Sequence, residues 1–179
     1  ATGSSPHIPS IDGISRKNIF TFRDLSDAQS LVGRSIRTQK TIVIGGGLLG
    51  LEAARAMQRF NTEVTVIEHN MWLMFNQLDI NAASYLKKHI ENLNINIRTN
   101  TYVKEIKGSQ RVEGVLLGNG EEIECDTIIL ATGISPNIEL ARNSGLSIGR
   151  GIRVNDYLQT SDDNIFAIGE CAEHRNKIY

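Results

Sequence analysis

A short run of apolar, β-branched residues, Thr41-Ile-Val-Ile44, leads straight into glycines at 45, 46, 47 and 50. Leu49, Ala53, Ala56, Met57 and Phe60 then recur at spacings of three and four. Few backbones accommodate that order. The apolar run suits a strand buried on both faces. The glycines allow a tight turn, and the spacing beyond them is that of an amphipathic helix. The pattern then repeats. Glu63-Val-Thr-Val-Ile67 is a second strand, ended by Glu68, and Asp79 to Leu93 carries Ala82, Leu86, Ile90 and Leu93 on one helical face. Asn94-Ile-Asn-Ile-Arg98 alternates as a third strand. The expected fold class is α/β, a Rossmann-like β-α-β-α-β unit with a parallel sheet and right-handed crossovers.

After Arg98 the helical period stops. Tyr102 to Ile106, Arg111 to Leu117 and Glu121 to Cys125 read as short strands, with a hairpin signal at Asn119-Gly120. A β-meander crossover therefore replaces the next helix, and Asp126-Thr-Ile-Ile-Leu130 returns as a buried strand. Upstream of Lys40, Asn18 to Phe22 alternates as a strand and Asp27 to Leu31 reads as a short helix. Beyond Gly133 the chain is rich in loops. A short helix is expected at Ile138 to Arg142 and a strand at Ile165 to Ile168.

Gly45-x-Gly47-x-x-Gly50 lies between a strand and a helix, and Glu68 follows Gly47 by 21 positions. Dinucleotide sites use this arrangement, with an acid about 20 residues after the glycines. Gly45 permits the turn, Gly47 lets a pyrophosphate approach the backbone, and Gly50 lets helix and strand pack closely. Gly46, Leu48 and Leu49 complete the loop and the helix start, where free N–H groups and a positive dipole end favour phosphate. Glu68 is placed to accept hydrogen bonds from the adenosine ribose and to repel a 2′-phosphate. Residues 69 to 74 hold no Arg or Lys, so NAD(H) is expected over NADP(H). Glu52 faces either the nicotinamide end or an ion pair with Arg55 or Arg59. Trp72 is placed either by the adenine pocket or at the sheet edge.

Charge and composition narrow the partners. Nineteen Lys and Arg against twenty Asp and Glu give a net charge of -1, so there is no basic surplus for nucleic acid. No apolar run is long enough to span a membrane. The four histidines show no metal-ligand spacing, so no metal site is expected. Cys125 and Cys171 lie far apart with no CxxC, and both read as structural. No signal-peptide pattern is present, and the cytoplasm is the expected location. No side chain stands out as a catalytic acid, base or nucleophile.

These motifs resemble the pyridine nucleotide–disulfide oxidoreductase family of two-dinucleotide flavoproteins, in which an NAD domain is inserted into an FAD domain. Ala1-Thr-Gly-Ser-Ser-Pro6 resembles the end of the first FAD segment, and Arg23-Asp-Leu-Ser-Asp-Ala28 the helix leading into the insert. Ala131-Thr-Gly-x-x-Pro136-Asn137 resembles the exit from the insert, and Thr160 to Glu170 the second flavin motif, which usually ends Gly-Asp. The resemblance implies three segments: 1–35 as an FAD-domain remnant and linker, 36–134 as the NAD(H)-binding domain, and 135–179 as a second FAD-domain remnant. It implies that Ala131, Thr132 and Gly133 flank the nicotinamide, and that Thr2, Gly3, Gly169 and Glu170 belong to the FAD site. Within the family, Gly169-Glu-Cys171, Met74-x-x-Gln77-Leu-Asp79 and Gly151-Ile-x-Val-Asn-Asp156 are similar to nitrite reductase large subunits. Rubredoxin or ferredoxin reductases and NADH oxidases are the neighbouring alternative, and a non-catalytic binding fragment is a third.

Parts of the family pattern are missing. A first flavin fingerprint, a redox cysteine pair, an iron–sulfur cysteine cluster and a sirohaem region do not occur in the sequence. The expectation is a piece of a longer polypeptide that binds NADH. Such a piece meets the FAD domain of its parent and leaves iron–sulfur and sirohaem chemistry outside itself. Alone it is expected to be inactive, and self-association to a homo-oligomer is left open.

Overall fold

The computed structural model describes residues 1–178. Along the chain come β1 (Ser4–Pro6), β2 (Ile19–Thr21), α1 (Leu25–Ser35), β3 (Lys40–Ile44), α2 (Leu48–Arg59), β4 (Glu63–Ile67), α3 (Ile80–Glu91) and β5 (Ile95–Arg98). A meander of β6 (Val103–Lys107), β7 (Gly114–Leu117) and β8 (Glu122–Glu124) leads into β9 (Thr127–Leu130). β10 (Ile134–Pro136), α4 (Glu139–Asn143), β11 (Ile152–Val154), β12 (Ala172–His174) and β13 (Lys177–Ile178) follow. The chain forms two compact units, Ile8–Thr132 and Ala1–His7 with the chain from Gly133 onward.

The larger unit is built on five parallel strands in the order β2-β9-β3-β4-β5. The inner strands β3, β4 and β9 are buried on both faces, which is why they read as runs of β-branched and apolar residues, while β5 at the edge alternates buried and exposed. On one face Val43, Val64, Val66 and Ile129 pack with Leu51, Ala54, Met57 and Ile90 of α2 and α3. On the other, Ile42, Ile44, Ile67 and Ile128 pack with Ile106, Val115 and Leu117 of the meander. The meander thus does the covering work of the missing helix.

Residues 8–35 contribute β2 and α1 to this same unit. Arg34 fastens α1 to the sheet: its Nε donates to Thr127 Oγ1 at 2.9 Å and its Nη2 to the Asp126 carbonyl at 2.9 Å. Asp126 also accepts from the Gln39 N–H at 2.8 Å and from the Thr38 hydroxyl.

In the smaller unit β1 pairs with β10 antiparallel, β11 with β12 parallel, and β12 with β13 antiparallel. Its core holds Ala141, Ile152, Ala167, Cys171 and Ala172. The expected strand at Ile165 to Ile168 does not form. Only Phe166 makes a bridge, to Gln159, and Ile165, Phe166 and Ile168 stay exposed around a buried Ala167. Pairing with residues 158–160 stops at that bridge, where the Thr160 N–H donates to the Ile165 carbonyl at 2.9 Å and the Ala167 N–H to the Leu158 carbonyl at 3.0 Å, too short a ladder to make a strand.

Candidate functional site at the carboxyl edge of the parallel sheet

β3 has β4 on one side and β9 on the other, with Ile44 in register with both Ile67 and Leu130. The chain leaves β3 toward β4 through α2 and returns to β9 from the far side. Such a reversal of strand order is a topological switch point, and ligands bind in open α/β sheets outside the carboxyl ends of the strands there. The Gly45 N–H donates to the Ile67 carbonyl and the Ala131 N–H to the Ile44 carbonyl, both at 2.9 Å. The glycine loop and the Ala131-Thr132 exit are therefore set side by side.

The four glycines have different reasons to be glycine. Gly45 has φ +115°, and a Cβ there would lie 2.3 Å from the Ala131 carbonyl oxygen. A Cβ on Gly50 would lie 2.0 Å from the Gly45 carbonyl oxygen. A Cβ on Gly46 would meet Leu73 Cδ2 at 2.6 Å and Glu68 Cβ at 3.0 Å. Only Gly47 faces open space, with nothing within 4 Å of a Cβ. Three of these glycines are required by the protein's own packing, and the fourth leaves room above the backbone.

That room lies over the start of α2. α1 and α3 begin with aspartate caps: Asp24 accepts from the Asp27 N–H and Asp79 from the Ala82 N–H, both at 2.9 Å. α2 begins at Gly47 with no side-chain cap and no acid in its first turn. The first internal bond runs from the Leu51 N–H to the Gly47 carbonyl at 3.0 Å. The N–H groups of Leu48, Leu49 and Gly50 precede it and have no partner within the helix. They point where an anion is most favoured.

Glu68 follows β4 and is buried. Its Oε2 accepts from the Gly46 N–H at 2.7 Å. Its Oε1 accepts from the Asn70 N–H at 2.8 Å and from Asn70 Nδ2 at 2.7 Å. The exposed His69 ring stands 3.1 Å from Oε1. The loop beyond is tied down as well. The Met74 N–H donates to the Gly46 carbonyl at 3.0 Å. Trp72 Nε1 donates to the Leu78 carbonyl at 3.0 Å, and its ring packs on Phe75 with centroids 4.6 Å apart. Trp72 is thus a fastener of the 70–78 loop. Asn70 and Leu73 were passed over in the sequence, although an Asn two positions after a strand-end acid is a recurrent local donor.

Glu52 is exposed on α2. Arg55 donates to Gln58 at 2.6 Å, and no ion pair of Glu52 occurs among the described residues. Glu52 lines an open groove of about 450 Å³ with Leu48, Leu51, Arg55 and Met74. A second cavity of about 540 Å³ lies near the amino ends of β3 and β9, lined by Arg34, Lys40, Glu124 and Asp126 among others. Arg34 and Lys40 are engaged there by Asp126 and Glu124.

Thr2, Gly3, Gly133, Gly169 and Glu170 fall in the smaller unit. Thr2 Oγ1 donates to the Asn137 carbonyl at 2.5 Å, and Asn137 Nδ2 donates back to the Thr2 carbonyl at 2.9 Å. Ser4 Oγ donates to Glu170 Oε2 at 2.7 Å. Gly3 and Gly169 have φ +68° and +80° with open space where a Cβ would be. Cys171 is fully buried; burial raises its pKa, but the Thr2 hydroxyl and the Thr2 and Gly3 N–H groups bring it below the ordinary thiol value. Burial, with the Asp126 charge, pushes the Cys125 thiol up to about 12. Both cysteines are free, and no cluster of metal-ligating side chains occurs among the described residues.

Comparison with known proteins agrees with this architecture. The chain is 42% identical over 179 residues to an assimilatory nitrate reductase electron transfer subunit of Bacillus subtilis. It is 43% identical over 179 residues to a nitrite reductase [NAD(P)H] of the same organism. All of this chain is covered in each case, but only 23% and 22% of those relatives. Among solved structures, a ferredoxin reductase from Rhodopseudomonas palustris superposes with a TM-score of 0.93 at 31% identity, covering 97% of this chain and 43% of that one. The family model for pyridine nucleotide-disulphide oxidoreductases matches residues 1–179. With its glycine loop, its parallel sheet and its meander crossover, this chain belongs to the pyridine nucleotide-disulphide oxidoreductase family.

Proposed function

We propose that this chain is the NADH-binding part of an FAD-dependent oxidoreductase, in which hydride passes from NADH to FAD and the electrons go on to reduce nitrite. The carrying observation is the uncapped start of α2 beneath the open space at Gly47. Gly45, Gly46, Gly47, Leu48, Leu49 and Gly50 seat the pyrophosphate, and Glu68 receives the adenosine ribose. Glu52 orients the nicotinamide, with Ala131, Thr132 and Gly133 as the wall beside it. Hydride leaves the nicotinamide carbon with its electron pair, so the step needs no general acid or base. The protein contributes orientation and the exclusion of water.

The flavin-site residues present here are Thr2, Gly3, Gly169 and Glu170. Their open positive-φ glycines and paired hydroxyl and carboxylate suit the edge of a flavin site. A bound FAD supplies the hydride acceptor. Its pyrophosphate has no second glycine fingerprint in this sequence, so FAD binding belongs to the complete protein. Iron–sulfur and sirohaem centres are placed outside this chain in the same proposal, as is the cytoplasmic setting.

Nitrite as terminal acceptor is supported by the names and identities of the relatives. The ferredoxin reductase likeness favours a second reading, electron delivery to a small iron–sulfur protein. Stopped-flow reduction of the flavin in the complete protein tests the common step. NADH is expected to reduce it faster than NADPH. Equal rates would sink the role given to Glu68. Assay of the reduced protein with nitrite and with a ferredoxin separates the two acceptors.

A further inference from the structure

We infer that Asn70 is a specificity-determining residue of this site: it holds the Glu68 carboxylate in the one orientation that receives a ribose hydroxyl. The inference rests on the NADH reading above. A carboxylate can accept about four hydrogen bonds, two at each oxygen. Oε1 of Glu68 already takes two, from the N–H and the Nδ2 of Asn70, at 2.8 and 2.7 Å. Oε2 takes one, from the Gly46 N–H at 2.7 Å. The remaining acceptor position is therefore on Oε2, the oxygen bonded to the glycine loop itself.

The last torsion of a glutamate is soft, with a broad preference. Burial of the stem does not fix the carboxylate plane; its donors do. The Gly46 N–H fixes one oxygen and the Asn70 pair fixes the other. Without the Asn70 amide, Oε1 keeps one backbone donor, with the exposed His69 ring 3.1 Å away as the competing partner. The carboxylate then turns toward His69, and Oε2 leaves the position beside Gly46. Asn70 need not touch the nucleotide to act. It selects through Glu68, by keeping a negative oxygen where a hydroxyl is welcome and a phosphate is not.

The test uses this 179-residue chain, titrated with NADH and with NADPH by calorimetry. The wild type is expected to bind NADH more tightly. Asn70→Ala is expected to weaken NADH about tenfold, the size of one hydrogen bond to a charged group. NADPH affinity should hold or rise, since the charge that repels its 2′-phosphate has moved, so the ratio between the nucleotides collapses. The loss of a donor to a buried carboxylate lowers the melting temperature but would affect both nucleotides alike. Asn70→Asp keeps the shape but loses the donor, and NADH should weaken at least as much. NADH affinity unchanged in Asn70→Ala, beside a wild type that prefers NADH, would overturn the inference and leave the NADH reading intact. Equal weakening of both nucleotides would also overturn it, since Asn70 would then only support the loop. A wild type that binds NADPH as well as NADH would refute the reading of Glu68 itself, and the role of Asn70 with it.

Discussion

At the scale of single residues, the glycine loop separates folding from binding. Gly50→Ala drives a methyl to 2.0 Å from a backbone carbonyl that has no room to move. It should destabilise the larger unit by about 3 kcal/mol, at the upper end of overpacking costs, seen as a lower urea midpoint. Gly47→Ala meets nothing within 4 Å. It should cost about 1 kcal/mol or less as a poorer helix cap, yet abolish NADH binding by filling the space meant for the pyrophosphate. An NADH affinity like the wild type's in Gly47→Ala would mean that the phosphates lie elsewhere. Glu68→Arg is expected to weaken NADH and strengthen NADPH in the same titration, and unchanged affinities for both would remove Glu68 from the site. The constraint on Gly50 was legible in the sequence, because the Gly45 carbonyl that it meets lies in the same turn. The close contacts at Gly45 and Gly46 were not, because they come from Ala131 and from Leu73 and Glu68, all more than twenty positions away.

At the scale of elements, α2 stands apart from α1 and α3 in having its first N–H groups uncapped. Asp79→Ala removes the cap of α3 and should cost about 1 kcal/mol in stability while leaving NADH affinity unchanged. A large loss of NADH binding in that variant would place α3 in the site.

The junction of β8 and β9 yields a prediction in pH. Cys125 has its thiol pKa raised from 9.0 to about 12 in the folded chain. The unfolded chain therefore releases this proton first. The stabilisation is full below pH 9.0 and declines as the pH climbs toward about 12. Thermal melts should fall less steeply across that range in Cys125→Ala than in the wild type, and identical slopes would show that the thiol is not desolvated. Helices were legible because burial of one face imposes a period on them, and inner strands because burial of both faces makes them short runs of β-branched and apolar residues. β1, β10 and β11 to β13 were not, because strands of two or three residues carry too little pattern. The run from Ile165 to Ile168 has the composition of a strand, but its pairing with residues 158–160 is limited to one bridge, and composition alone misplaced it.

For the whole molecule, the chain spans less than a quarter of the relatives named above. The parallel sheet and its carboxyl edge are complete within Ile8–Thr132, so dinucleotide binding is the activity this chain should retain by itself. The acceptor chemistry was not legible from these residues, because the groups that would carry it are not among them. The most direct measurement is titration of the intrinsic fluorescence of Trp72, the single tryptophan, with NADH and then NADPH. Trp72 fastens the loop that follows Glu68 and Asn70, so a nucleotide seated there should quench it or take its energy. A response to NADH at a lower concentration than to NADPH is the predicted result. Silence to both nucleotides, with no heat in calorimetry, would contradict the account and leave the glycine loop as a purely structural turn.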